Sequence, residues 1–175
     1  MNLTEARKQI GYCSSYERLR RVCELCNRMK EDDWLVLLGE NWQACDNNAF
    51  FIDFILEKSP VRFREGPIRE MMTEHERKVL DDLPDPFHIF RGCFLGVNHD
   101  GCSYSLNRSV AKWFASHLAK MHPTAPAILR CGVVNKKDVI AYKDGREEYE
   151  VIIRECRIIE DIALDEREWP VLGDI

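Results

Sequence analysis

Leu83-Pro84-Asp85-Pro86 divides the chain. Two prolines this close end any helix, because each lacks an amide N–H and its ring clashes with the preceding turn. Before them the apolar residues recur at three and four. After them they come in short runs punctuated by Asn98-His99-Asp100-Gly101 and Asp144-Gly145. Helices first and strands second predicts an α+β fold: a helical N-terminal half, residues 1–85, followed by a largely antiparallel sheet in residues 86–175, the two packed as one compact unit.

In the first half, Ser14 and Glu17 form a capping-box pattern ahead of Tyr16, Leu19, Val22, Cys23, Cys26 and Met29. Asp32 or Asp33 is the expected cap of a second helix, with Trp34, Leu37, Leu38, Trp42 and Cys45 on its buried face. Ala49 to Leu56 reads as a short buried helix, and Ile68 to Leu83 as a more polar one. In the second half, strands are expected at Phe87–Arg91, Cys102–Leu106, Ala127–Val134, Val139–Tyr142, Tyr149–Ile153 and Arg157–Ile162. Asn107 caps a helix carrying Val110, Trp113, Phe114, His117, Leu118 and Met121, bounded by Pro123 and Pro126.

With 175 residues, 45% of them hydrophobic, the chain can bury a sizeable core. A net charge of -5 argues against broad binding to nucleic acid or anionic lipid. No apolar leader opens the sequence and no run of 18 apolar residues interrupts it, so a cytoplasmic protein without a membrane partner is expected. The eight cysteines are scattered and expected to be reduced. Cys23-Glu-Leu-Cys26 lacks a second ligand pair at zinc-finger spacing. It reads as part of an apolar helix face, with no metal expected.

The residues that bear chemistry lie after Pro86. Phe90-Arg91-Gly92 ends an apolar strand in an arginine, whose planar fork suits a diphosphate, with a glycine freeing the backbone beyond it. Ser103 and Ser105 share a strand face just before a capped helix. In Arg146-Glu-Glu-Tyr-Glu-Val-Ile-Ile153, strand alternation would turn Glu148 and Glu150 the same way, with backbones roughly 6.5–7 Å apart. Each motif alone has a bland reading as a strand end or a solvated charge cluster. His88 falls out of phase with Arg91 and reads as structural. Trp34, Trp42, Trp113 and Phe114 read as packing, and His117 and His122 have no partner pattern.

Taken together, FRG at Phe90–Gly92, SYSLNRSVAKWFA at Ser103–Ala115 and EYEVII at Glu148–Ile153 resemble the mono-ADP-ribosyltransferases of the Arg-Ser-Glu class. The resemblance covers about Phe87 to Ile162. Tyr104 replaces the usual threonine between the serines. The resemblance implies an NAD cleft, NAD as co-substrate, and cleavage of the nicotinamide–ribose bond with transfer of ADP-ribose to a macromolecule. By that resemblance Glu150 stabilises the ribose cation and Arg91, beside Gly92, holds the phosphates. Ser103 positions Glu150, Ser105 supports the site, and Glu148 orients the acceptor. A glutamate at Glu148 further implies a protein arginine as acceptor, with nucleic acid as the alternative. The sequence identifies no regulatory partner. An NAD glycohydrolase and an inactive binding module of the same fold stand as the rival expectations, and an unprocessed bacterial or phage effector would suit the missing leader.

Overall fold

The computed structural model describes residues 1–45, 48–119 and 124–165. Met121, His122 and Pro123, named above, lie outside them. The fold is α+β, and its helices and strands divide at Pro84–Pro86.

Three helices open the chain: α1 (Leu3–Ile10), α2 (Ser15–Leu25) and α3 (Glu31–Asn41). The Ser14 backbone N–H donates to Glu17 Oε2 at 3.3 Å, as the capping box requires. Leu19, Val22 and Leu25 are buried, but Tyr16 is 67% exposed and does not belong to the apolar face. Cys26 is buried and Cys23 packs at the edge of the same core. Burial pushes the Cys23 thiol up to about 12. The cap of α3 is Lys30, not either aspartate. Glu31, Asp32 and Asp33 fill its first turn, where carboxylates meet the positive end of the helix dipole. Trp34, Leu35, Leu37 and Leu38 are completely buried, so α3 is enclosed on nearly all sides.

The segment after α3 departs from expectation. Ala49 to Leu56 is not one buried helix. It contains a 3-10 turn (Asn48–Phe51) and the start of a single π-helical turn (Phe54–Lys58). Phe50 is 85% exposed. Its run of apolar residues has density without a 3.6-residue period, and density alone does not define a buried face. Ile68 to Leu83 is likewise two pieces, a 3-10 turn at Arg69–Met71 and then α4 (Glu74–Asp82). Thr73 separates them as the cap of α4. Its N–H donates to Glu76 Oε2 at 2.8 Å, and its Oγ1 accepts from the Glu76 N–H at 3.2 Å.

The second half supplies β1 (Phe87–Phe94), β2 (Ser103–Ser105), α5 (Arg108–Leu118), β3 (Ala127–Val134), β4 (Val139–Lys143), β5 (Glu150–Ile153) and β6 (Arg157–Ala163). They form one six-stranded sheet in the order β4-β5-β2-β1-β3-β6, antiparallel at every pairing. α5 packs on β1 so closely that a Cβ on Gly92 would lie 1.8 Å from the Ala111 carbonyl oxygen. A small core of Ala111, Leu129 and Cys131 lies there, with Phe90 against it. The large core is continuous from Ala6 and Leu19 through Trp34 and Trp42 to Tyr104, Tyr142 and Val151. Helices and sheet therefore share one interior. Among the described residues, no helix is long and apolar enough to cross a membrane.

Candidate active site

A cleft of about 630 Å3 opens beside β1, β2 and the start of β5. Arg91, Gly92, Ser103, Ser105, Glu148 and Glu150 all line it. Residues from the helical half close it, including Trp42, Cys45, Asn48 and Ile52.

Glu150 is the first residue of β5. The register Ser105↔Glu150 and Ser103↔Ile152 puts both serines and Glu150 on one side of the sheet. Ser103 Oγ donates to Glu150 Oε1 at 2.6 Å. Trp42 Nε1 donates to the same oxygen at 2.9 Å. Neither of these two bonds is made at Oε2. Glu150 is 7% exposed. Burial pushes its carboxyl above the usual range, and the bonds from Ser103 and Trp42 oppose that rise. Gln43 and Lys143 also favour the charged form. Gln43 does so through its side-chain amide, whose buried Nε2 approaches the carboxylate outside ideal hydrogen-bond geometry. Lys143 is the cross-strand neighbour of Glu150, and its Nζ donates to Glu76 Oε2 at 2.9 Å and to Met71 O at 3.0 Å.

Glu148 does not share a strand with Glu150. Glu147 and Tyr149 have φ of 56° and 50°, so the backbone turns through the left-handed region and β5 begins only at Glu150. Alternation therefore does not relate the two carboxylates. Tyr149 is partly exposed instead of sharing a buried face with Val151 and Ile153. A bulky residue with positive φ is uncommon, and such strain persists only where the surroundings impose it. Here Ser105 Oγ donates to Glu148 O at 2.7 Å, and the Leu106 N–H to Tyr149 O at 2.9 Å. Ser105 thus braces the turn with its hydroxyl. Both glutamates reach the cleft all the same. Burial, with Glu150 nearby, raises the Glu148 carboxyl, while Arg146 opposes the rise from 3.2 Å.

Arg91 spans the cleft wall. Its Nη1 donates to Ser103 O at 2.6 Å and its Nη2 to Asn98 O at 2.9 Å. Its Nε is buried without a partner, and no carboxylate pairs with it among the described residues. A Cβ on Gly101 would lie 2.2 Å from Nη2, so a glycine there makes room for the guanidinium. The turn at Asn98–Gly101 is also held from β3. Arg130 Nη1 donates to His99 O at 2.7 Å, and the same guanidinium makes a two-point bond to Asp161. Gly92 has an extended backbone within β1, so it does not release the chain as the sequence had indicated. It lets α5 approach.

His88 is exposed, away from the cleft. Trp113 stacks on His117, but Phe114 and Leu118 line the cleft, so that face of α5 is more than packing. Sequence reasoning also missed Trp42, Gln43, Asn98 and Arg130. Trp42 fitted a core periodicity and is indeed 1% exposed, and nothing local marked its N–H as a ligand for a residue in β5. Comparison with known protein families, curated proteins and solved structures returned no match to this chain.

The arrangement offers, in one cleft, a buried, oriented carboxylate and an arginine with no carboxylate partner among the described residues. Its volume falls within the ~300–1,000 Å3 of small-molecule and cofactor sites. The carboxylate can stabilise a cation that forms on a bound ligand, and the arginine can hold an anionic group of the same ligand.

Proposed function

We propose that the protein is an NAD-dependent mono-ADP-ribosyltransferase. The observation that carries this reading is the meeting of Arg91, Ser103 and Glu150 in one cleft, with both hydrogen bonds to Glu150 made at Oε1. The diphosphate of NAD would lie at Arg91, which keeps N–H donors beyond the two engaged by carbonyls. When the nicotinamide–ribose bond breaks, its electron pair leaves with nicotinamide and positive charge builds on the ribose. Glu150 Oε2 would face that charge, in the manner of a glycosidase carboxylate. A guanidinium nitrogen of the acceptor would then bond the ribose carbon and yield a proton to Glu148. The raised carboxyl of Glu148 suits it as that base. A protein arginine is the acceptor this chemistry favours, with a nucleic acid as the alternative.

One contact favours a second reading. Arg146 already occupies Glu148, its Nη1 also donating to Gln43 O at 2.6 Å. If that pair persists, Glu148 cannot receive an acceptor and water takes its place, making the protein an NAD glycohydrolase.

The test is nicotinamide release from labelled NAD, with cell lysate present, by the wild type and by Glu150→Gln. Release should fall by roughly 100-fold or more in the variant. Labelled macromolecule indicates transfer, and free ADP-ribose alone indicates hydrolysis. No release by the wild type would overturn both readings and leave the fold as a binding module.

A further inference from the structure

The two fully buried indoles of the helical half use their N–H groups differently. A buried tryptophan N–H usually finds a partner, and a backbone carbonyl is enough. Trp34 does this, donating to Val22 O at 2.8 Å within its own helical layer. Trp42 instead donates to Glu150 Oε1, 108 residues along the chain and across the cleft. Burying a carboxylate beside an indole is costly unless the hydrogen bond holds, so this pairing is not what core packing alone would select.

The surroundings make the contact rigid. Trp42 opens the 3-10 turn Trp42–Ala44 that follows α3, and its ring is 1% exposed within the main core. The next residue, Gln43, holds the chain just ahead of β5. Its Oε1 accepts from the Gly145 N–H at 3.0 Å, and its carbonyl accepts from Arg146. One turn of the helical half thus touches both the carboxylate and the loop that leads to it.

We propose that Trp42 is a positioning residue. Its indole N–H, with Ser103 Oγ, pins Glu150 Oε1 and leaves Oε2 as the oxygen presented to the ribose. The inference rests on the ADP-ribosyltransferase reading and assigns that site a member from outside the Arg, Ser-x-Ser and Glu-x-Glu motifs. Other groups act on Glu150 from the surrounding elements. Ser103 and Cys102 do so from β2 and the residue before it, Lys143 from β4, Glu148 from the preceding turn, and Gln43 from the helical half. Arg91 from β1, and His99 and Asp100 from the turn after it, add further charged or titratable groups to the lining of the cleft. Of all these groups, Ser103 Oγ and Trp42 Nε1 are the two whose hydrogen bonds are made at Oε1.

The test uses the full chain with Trp42→Phe, and with Trp42 replaced by benzothienylalanine, in which sulfur takes the place of the indole N–H. The analogue keeps the shape of the ring, so it folds if the role of Trp42 in the core is packing alone. Two quantities are read: the carboxyl titration of Glu150 by carbon NMR, assigned with Glu150→Gln, and the pH profile of nicotinamide release. A lost donor to the charged form raises the carboxyl pKa, so the NMR midpoint and the acid limb of kcat should both move up by about one unit. At neutral pH kcat should fall roughly tenfold while KM for NAD stays within about twofold. An NMR midpoint that stays put in the analogue would overturn the positioning role. A wild type that releases no nicotinamide overturns it too, but by removing the reading it rests on. The NMR titration, which needs no NAD, tells the two failures apart.

Discussion

On the proposed reading, Glu150 places function and stability in opposition. Its folded carboxyl lies above the ordinary range because burial disfavours the charge. A group raised in this way contributes stability that is complete below its unfolded pKa, about 4.3 for glutamate, and that is lost as pH rises through the folded value. At neutral pH burying this carboxyl therefore costs stability. Glu150→Gln removes it, and the amide oxygen can still accept from Trp42 and Ser103. The variant should melt above the wild type at pH 7, with the difference closing as pH falls toward 4. Melting curves across that range check this, and a variant less stable than the wild type at pH 7 would show that the hydrogen bonds to the carboxylate outweigh the cost of burying it. The site was half legible in the sequence. The Glu-x-Glu pair drew attention to Glu150, but the left-handed residues Glu147 and Tyr149 did not announce themselves, because nothing in their side chains demands positive φ.

At the scale of elements, the contact between α5 and β1 sets the back of the cleft. Gly92 gives that contact its closeness, and alanine would bring a Cβ to 1.8 Å from the Ala111 carbonyl oxygen. Backbone atoms on both sides leave nothing soft to move. Gly92→Ala should cost about 3 kcal/mol, at the upper end of the overpacking range, and denaturant unfolding measures it. On the proposed reading, NAD binding should weaken with it, since Phe90 and Arg91 lie on the same stretch of β1. The strands themselves were readable from alternation and turn residues: β3 falls where its sequence places it, and β4 and β6 extend one residue further. Helix starts were less so. The cap of α4 was written as Thr73-Glu-His-Glu76, but the polar run around it resembled a continuous helix. The acidic first turn of α3 mimicked a cap, because carboxylates are favoured at both positions.

For the whole molecule, the division at Pro84–Pro86 is a division of secondary structure and not of the interior. Tyr142, Val151 and Ile153 pack into the same core as Leu19 and Trp34. Glu76 and Lys143, both nearly fully buried, tie α4 to β4 by an ion pair at 2.9 Å. A fragment of residues 87–175 would expose the apolar face of β4 and β5 and leave Lys143 without its carboxylate. It should be insoluble or molten when expressed alone, and should become soluble when the helical half is supplied as a second chain. Dispersed amide resonances from the isolated fragment would show that the sheet needs no such cover. The sequence pattern could not reveal this dependence, since periodicity shows which residues are buried and not which partner buries them.

The bond between Trp42 and Glu150 also bears on how chains descended from a common ancestor can diverge. A mutation at position 42 that removes the indole N–H alters the carboxylate, and a mutation at 150 that removes the side-chain oxygen leaves the indole without this acceptor. The two positions should therefore vary together, although the conspicuous motifs include only one of them. Lineages that keep glutamate at 150 should keep a donor at 42, and those that abandon the chemistry should be free to change both.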